Sequence, residues 1–136
     1  MTRIVFILAI GVAAIGTLAV AASTSPLGPP PPAGTGLDKA QCIIDRDLGN
    51  HSVVDQNTLL WGAVGRSRGT YRVTMRNGCL RSAVSSDPIE IRQVGGGRIC
   101  APKDLRIIAR SGLCDVASIV KLTPEEAAAV PKRLRP

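Results

Sequence analysis

Four cysteines behind an apolar opening segment constrain this chain more than any other feature. The opening Met-Thr-Arg, the apolar run Ile4 to Val20 and the small residues Ala19-Val20-Ala21 have the layout of a secretory signal peptide over residues 1–22, cut after Ala21 or Ala22. An uncleaved membrane anchor is the competing reading, because the run is nearly long enough to span a bilayer. In an exported chain an even number of cysteines predicts disulfides, so Cys42, Cys79, Cys100 and Cys114 are expected to form two bridges. Zinc fits poorly: the gaps are wide, no C-x-x-C pair occurs, and His51 is the only histidine. No cysteine follows the apolar run, which argues against a lipid-anchored start.

The bridges matter because bulky core residues are scarce. Phe6, Trp61 and Tyr71 are the only aromatics, and Phe6 lies in the segment expected to be removed. A native disulfide in a small secreted domain is worth about 2–5 kcal/mol, comparable to everything such a core can supply.

Residues 23–37 carry Pro26 and Pro29 to Pro32 and read as a solvated, semi-rigid proline-rich spacer. Residues 38–122 form the expected folded domain. Short apolar stretches interrupted by turn residues at close intervals predict an all-β fold, a small antiparallel barrel or sandwich stapled by the two bridges. Thr70 to Arg76 alternates most clearly, with Tyr71, Val73 and Met75 on one face and Arg72, Thr74 and Arg76 on the other. Asn77-Gly78 follows as a hairpin signal leading into an expected strand Leu80–Val84. Leu113 through Leu122 is the longest strand candidate, its β-branched content outweighing a possible helical face. In residues 123–136, Thr123-Pro124-Glu125-Glu126 opens a short helix that Pro131 stops, and a basic, frayed end follows. Closing a barrel would join first strand to last, which favours Cys42–Cys114 with Cys79–Cys100; Cys42–Cys79 with Cys100–Cys114 is the alternative.

The order Cys42, Asp55-x-x-Thr58-Leu59, Tyr71-Arg72-Val73, Cys79-Leu80, Ile99-Cys100 and Cys114-x-Val116 resembles a group of small exported bacterial proteins that share a four-cysteine domain of unknown function. The likeness covers about residues 40–122. It implies a periplasmic location and paired cysteines, and it implies no activity. Many members look like lipoproteins, whereas this chain has the proline spacer where they have an acylated cysteine.

Arg66, Arg68, Arg72, Arg76 and Arg81 fall in a stretch without an acid up to Cys79 and just beyond it. Same-face neighbours on a strand stand about 6.5–7 Å apart, close to the spacing of phosphates or sulfates along a polyanion. The expected role is therefore a non-enzymatic, exported accessory or binding protein that contacts an anionic envelope component through an arginine-rich strand face. The bland alternative is a solvated face whose charge deters edge-to-edge pairing. Residues 38–126 carry thirteen basic and ten acidic side chains, so the overall field is weak. Nucleic acid is a poor partner, since stacking platforms need aromatics. A membrane is expected as partner only if the opening segment stays uncleaved.

A catalytic role finds little support. His51 sits next to Ser52 and near Asp47 and Asp55, but sequence neighbours do not make a triad, and an exposed turn histidine is the simpler reading. Asp45-x-Asp47-x-Gly49-Asn50 is a fragment of a calcium loop without its distant bidentate glutamate, so these are read as turn residues. No metal or cofactor is expected. Trp61 and Tyr71 are assigned to the core. A second functional class is a small hydrolase or protease inhibitor acting through a rigid exposed loop at Gly65–Gly69.

Overall fold

The computed structural model describes residues 27–84 and 87–136. The expected signal peptide lies outside the described residues.

Turn residues cut the chain into short strands, and these pair as three antiparallel sheets. The largest joins β2 (Leu48–Asp55), β3 (Thr58–Ala63), β4 (Gly69–Met75) and β9 (Val116–Lys121) in the order β2-β3-β4-β9. A second joins β5 (Glu90–Gln93), β7 (Leu105–Ala109) and β8 (Gly112–Cys114) in the order β5-β7-β8. A two-stranded ribbon pairs β1 (Ile43–Ile44) with β6 (Arg98–Ile99). The sheets do not close into a barrel. The four-stranded and three-stranded sheets instead share one core.

Strand alternation explains that core. Leu59, Trp61, Tyr71, Val73, Met75 and Ile119 project from the four-stranded sheet, while Leu105, Ile107, Ala109 and Cys114 answer from the three-stranded one. Trp61 is 1% exposed and its indole nitrogen donates to the Gly49 carbonyl at 3.3 Å. Tyr71 is fully buried and donates its hydroxyl to the Ser67 carbonyl at 2.7 Å. Both aromatics therefore fill the interior as expected, each with its polar atom satisfied.

Both disulfide pairings drawn from the sequence are wrong. The bridges are Cys42–Cys100 and Cys79–Cys114. The first strand pairs with β6, not with the last strand, and the register Ile43↔Ile99 sets Cys42 directly across from Cys100. Cys114, at the end of β8, meets the turn that follows β4, where the Ser111 hydroxyl also donates to the Cys79 carbonyl.

Two expected strands change as well. Leu80–Val84 forms no strand; Asn77 and Gly78 do turn in the left-handed region, with φ of +59° and +62°. The segment after them tucks back against the turn between β2 and β3, Leu80 N donating to Gln56 O at 2.9 Å and Gly78 N to Asn57 Oδ1 at 2.7 Å. The long Leu113–Leu122 run divides at Asp115 into β8 and β9, which belong to different sheets.

The other face of the four-stranded sheet is covered too. Leu60, Leu122 and Val130 form a second buried cluster with Leu27, Val54, Ala127 and Leu134 around it. Full burial of such an aliphatic side chain is worth about 1.5–3 kcal/mol. Helix α1 (Pro124–Ala129) supplies Ala127, and its start is fixed by a reciprocal capping box: Glu126 N donates to Thr123 Oγ1 at 3.2 Å and Thr123 N to Glu126 Oε2 at 2.7 Å. The basic end is not frayed. Ser52 Oγ donates to the Leu134 carbonyl, and Arg135 donates to the carbonyls of Val130 and Ala128.

Residues 27–37 are likewise docked where a solvated spacer was expected. Gly34 N donates to Ala117 O at 2.7 Å, Ile119 N to Thr35 O at 2.9 Å, and Leu37 N to Cys100 O at 2.6 Å. The first two bonds occupy the outer edge of β9, so the proline-rich segment becomes a strap along the sheet, and the third ties its end to the residue after β6.

Candidate functional site: the arginines and the Gly65–Gly69 turn

The five arginines do not form one face. Arg72 lies at the centre of β4, on the side opposite Tyr71 and Val73, and is only 4% exposed. Its guanidinium donates to three consecutive strap carbonyls, Leu27 at 2.8 Å, Gly28 at 3.3 Å and Pro29 at 3.1 Å. Burial lowers the Arg72 pKa from its ordinary value, with the Asp55 and Glu126 charges opposing that shift. Arg72 is a fastening for the strap and is not available to a ligand. Its Nε has no partner among the described residues; nor do the hydroxyls of Thr74 and Ser118, which face each other across β4 and β9.

Arg76 and Arg81 stand at one end of β4. Arg76 is paired with Asp115 at 3.1 Å, and the exposed Arg81 side chain folds over the Gly78 turn. Arg66 and Arg68 stand beyond the other end, about 23 Å away along a seven-residue strand. The extended conformation stops at Gly69, so these two arginines occupy a turn and not the strand that alternation suggested.

That turn is firmly built. Gly65–Ser67 forms a single 3-10 turn, with Arg66 and Arg68 exposed and Ser67 buried between them. Ser67 N donates to Asp47 Oδ2 at 2.9 Å, and Ile44 N donates to Ser67 Oγ at 2.9 Å. The Ser67 carbonyl accepts from Tyr71, and the Asp47 carbonyl accepts from Val64 N at 2.8 Å. Gly65 has φ of +60°, and a Cβ there would stand 2.6 Å from Asp47 Oδ1, so glycine is required on both counts. Hydrogen bonds from Ser67, side chain first and backbone second, hold the Asp47 carboxyl below the ordinary carboxylate value; Arg46 acts in the same direction and desolvation against it. Asp47 is thus an internal tie, not part of a calcium loop.

Lys121 joins this end of the sheet. It is paired with Tyr71, its Nζ lies 5.6 Å from the Tyr71 ring centre, and its stem runs against Gly69. Arg46 adds a fourth cation on the adjoining turn Asp45–Asp47. On that turn Asp45 is exposed and Asp47 is buried and engaged. Arg66, Arg68 and Lys121 form no ion pair among the described residues.

His51 is not an exposed turn residue. It belongs to β2, pairs with Trp61, and its Nε2 is buried without a hydrogen-bond partner among the described residues. Among the described residues no group of three or more His, Cys, Asp or Glu side chains converges as a metal site would require.

No protein-family model matches the chain, and no curated protein or solved structure matches it either. The four-cysteine frame and its two disulfides therefore rest on the chain's own geometry, and they fit an oxidising compartment. Among the described residues no helix is long and apolar enough to cross a membrane.

Proposed function

We propose that this is an exported, non-enzymatic binding protein, of the small bacterial four-cysteine kind, that holds an anionic envelope component on the Gly65–Gly69 turn. The observation that carries the reading is the pinning of Ser67. Three hydrogen bonds on one residue fix the turn, so Arg66 and Arg68 project as a preorganised pair beside Lys121. Preorganisation lowers the ordering cost of binding, and arginine forks suit carboxylate, phosphate and sulfate oxygens. The inhibitor reading is weaker at the same place. A protease cleft takes an extended stretch by strand pairing, whereas Arg66 is in a 3-10 turn and Ser67 faces inward.

Elution from a heparin column by rising salt tests this. Arg66→Ala with Arg68→Ala is expected to elute at clearly lower salt than the parent, while Arg76→Ala with Arg81→Ala shifts elution little. Equal elution of the Arg66/Arg68 variant and the parent would remove the reading.

A further inference from the structure

A polar row runs across the four-stranded sheet. Register sets Asp55 of β2 opposite Thr58 of β3, Thr58 opposite Thr74 of β4, and Thr74 opposite Ser118 of β9. Thr58 and Ser118 are buried, and Thr74 is only 8% exposed. The hydroxyls of Thr74 and Ser118 have no partner among the described residues, an unfavourable state for buried polar groups. Asp55, Thr58 and Thr74 line a cleft of about 470 Å³. Small-molecule sites span roughly 300–1,000 Å³, so this one has room for a ligand.

The turn between β2 and β3 supplies a fixed wall. Asn57 N donates to Asp55 Oδ1 at 2.8 Å, and Asn57 Oδ1 accepts from Gly78 N at 2.7 Å. That leaves the second Asp55 oxygen as an acceptor and the Asn57 side-chain nitrogen as a donor. Gly28 and the exposed Pro30 of the strap line the cleft too. Nothing stands within 4 Å of the place a Gly28 Cβ would occupy, so the strap has space to shift there. The charged side chains lining the cleft are Asp55 and Arg72, of opposite sign, and Arg72 is engaged by the strap carbonyls. An anionic ligand would face Asp55, and a cationic one the buried Arg72. A neutral ligand with several hydroxyls meets neither repulsion, and each hydroxyl both donates and accepts.

We propose that this cleft binds a neutral cyclic sugar. One ligand hydroxyl donates to Asp55 and another accepts from Asn57. A third reaches the Thr74 hydroxyl as the Gly28–Pro30 stretch moves outward, and the apolar face of the ring rests on Pro30. An open-chain polyol offers the same hydroxyls without a ring face, and it loses more freedom on binding.

Nuclear magnetic resonance titration of the full, disulfide-bonded chain tests the proposal, with the methyl glycosides of glucose, galactose, mannose and N-acetylglucosamine as probes. At least one is expected to shift the Asn57 and Thr58 amides saturably, and glucuronate and sorbitol to bind more weakly than it does. Asp55→Asn keeps the bond from Asn57 N but loses the charge, and should bind about tenfold more weakly. Thr74→Val should bind about fivefold more weakly. It should nonetheless match or exceed the parent in urea stability, since it removes an unpartnered buried hydroxyl. Thr74→Ser keeps most of the binding. Arg66→Ala with Arg68→Ala leaves it unchanged, so failure here and failure at the Gly65–Gly69 turn are distinguishable. No saturable shift with any of the four glycosides, tighter binding of glucuronate or sorbitol, or parent-like binding by both Asp55→Asn and Thr74→Val overturns the proposal.

Discussion

The Ser67 amide points at the Asp47 carboxylate from 2.9 Å, across twenty residues of sequence. This bond joins the two turns that carry Arg46, Arg66 and Arg68. Because the folded-state pKa of Asp47 lies below its unfolded value near 3.8, the contribution of this tie is present above about pH 4. It is lost as pH falls through the folded value. Urea unfolding at pH 7 and pH 3 should show the parent weakening on acidification. Asp47→Asn should be weaker at pH 7 and less sensitive to that change.

Ser67→Ala removes the acceptor of the Ile44 amide and leaves that donor without its partner. The expected cost is about 1–3 kcal/mol by urea titration. The loss should be accompanied by weaker heparin retention even though no charge has been removed. Retention equal to the parent would mean that rigidity of the turn is irrelevant to binding.

Tyr71→Phe tests the alkaline side. Burial raises the tyrosine's pKa, with Asp47 adding to the shift, so its neutral form is favoured in the fold. Its contribution is whole below about pH 10, the unfolded value, and fades as pH rises through the folded one. Thermal unfolding of the phenylalanine variant should be lower by about 1 kcal/mol equivalent at pH 7 and should lose less than the parent above pH 10.

Arg72→Met keeps the aliphatic stem and deletes the donors to Leu27, Gly28 and Pro29. A cost on the order of 3 kcal/mol is expected, since hydrogen bonds from a buried charged group are among the stronger ones. The specific signature is limited proteolysis: cleavage within residues 27–37 should accelerate in the variant while the disulfide-linked body stays intact.

Arg106→Glu should stabilise. Register sets Arg106 of β7 directly opposite Arg92 of β5, so the change replaces like charges with an opposite pair, worth a few tenths of a kcal/mol to about 1 kcal/mol. For a domain of this size half of that range raises Tm by about 2–4 °C. Calorimetry measures it directly.

Much of the architecture was legible in the sequence. Alternation from Thr70 placed Tyr71 and Val73 inward, and Thr123-Pro124-Glu125-Glu126 marked the helix start that the capping box confirms. What the residues could not convey was non-local. Cys42 meets Cys100 only because a two-residue strand pairs with another more than fifty positions away, and nothing local announces that register. Alternation makes Arg72 solvent-facing because it distinguishes two sides of a strand without saying what covers each. Here the proline-rich strap and the residues after Leu122 cover the second side. The Arg92↔Arg106 juxtaposition is equally non-local, since fourteen positions separate the two and only strand pairing unites them.

The strap and the segment after β9 flank the sheet in sequence and both settle on its outer surface, where neither has anything to grip until β3, β4 and β9 lie side by side. Order of assembly follows from that dependence. The layer bearing Leu27 and Val130 closes last and opens first, so amide exchange should label it well before Trp61 or Val73.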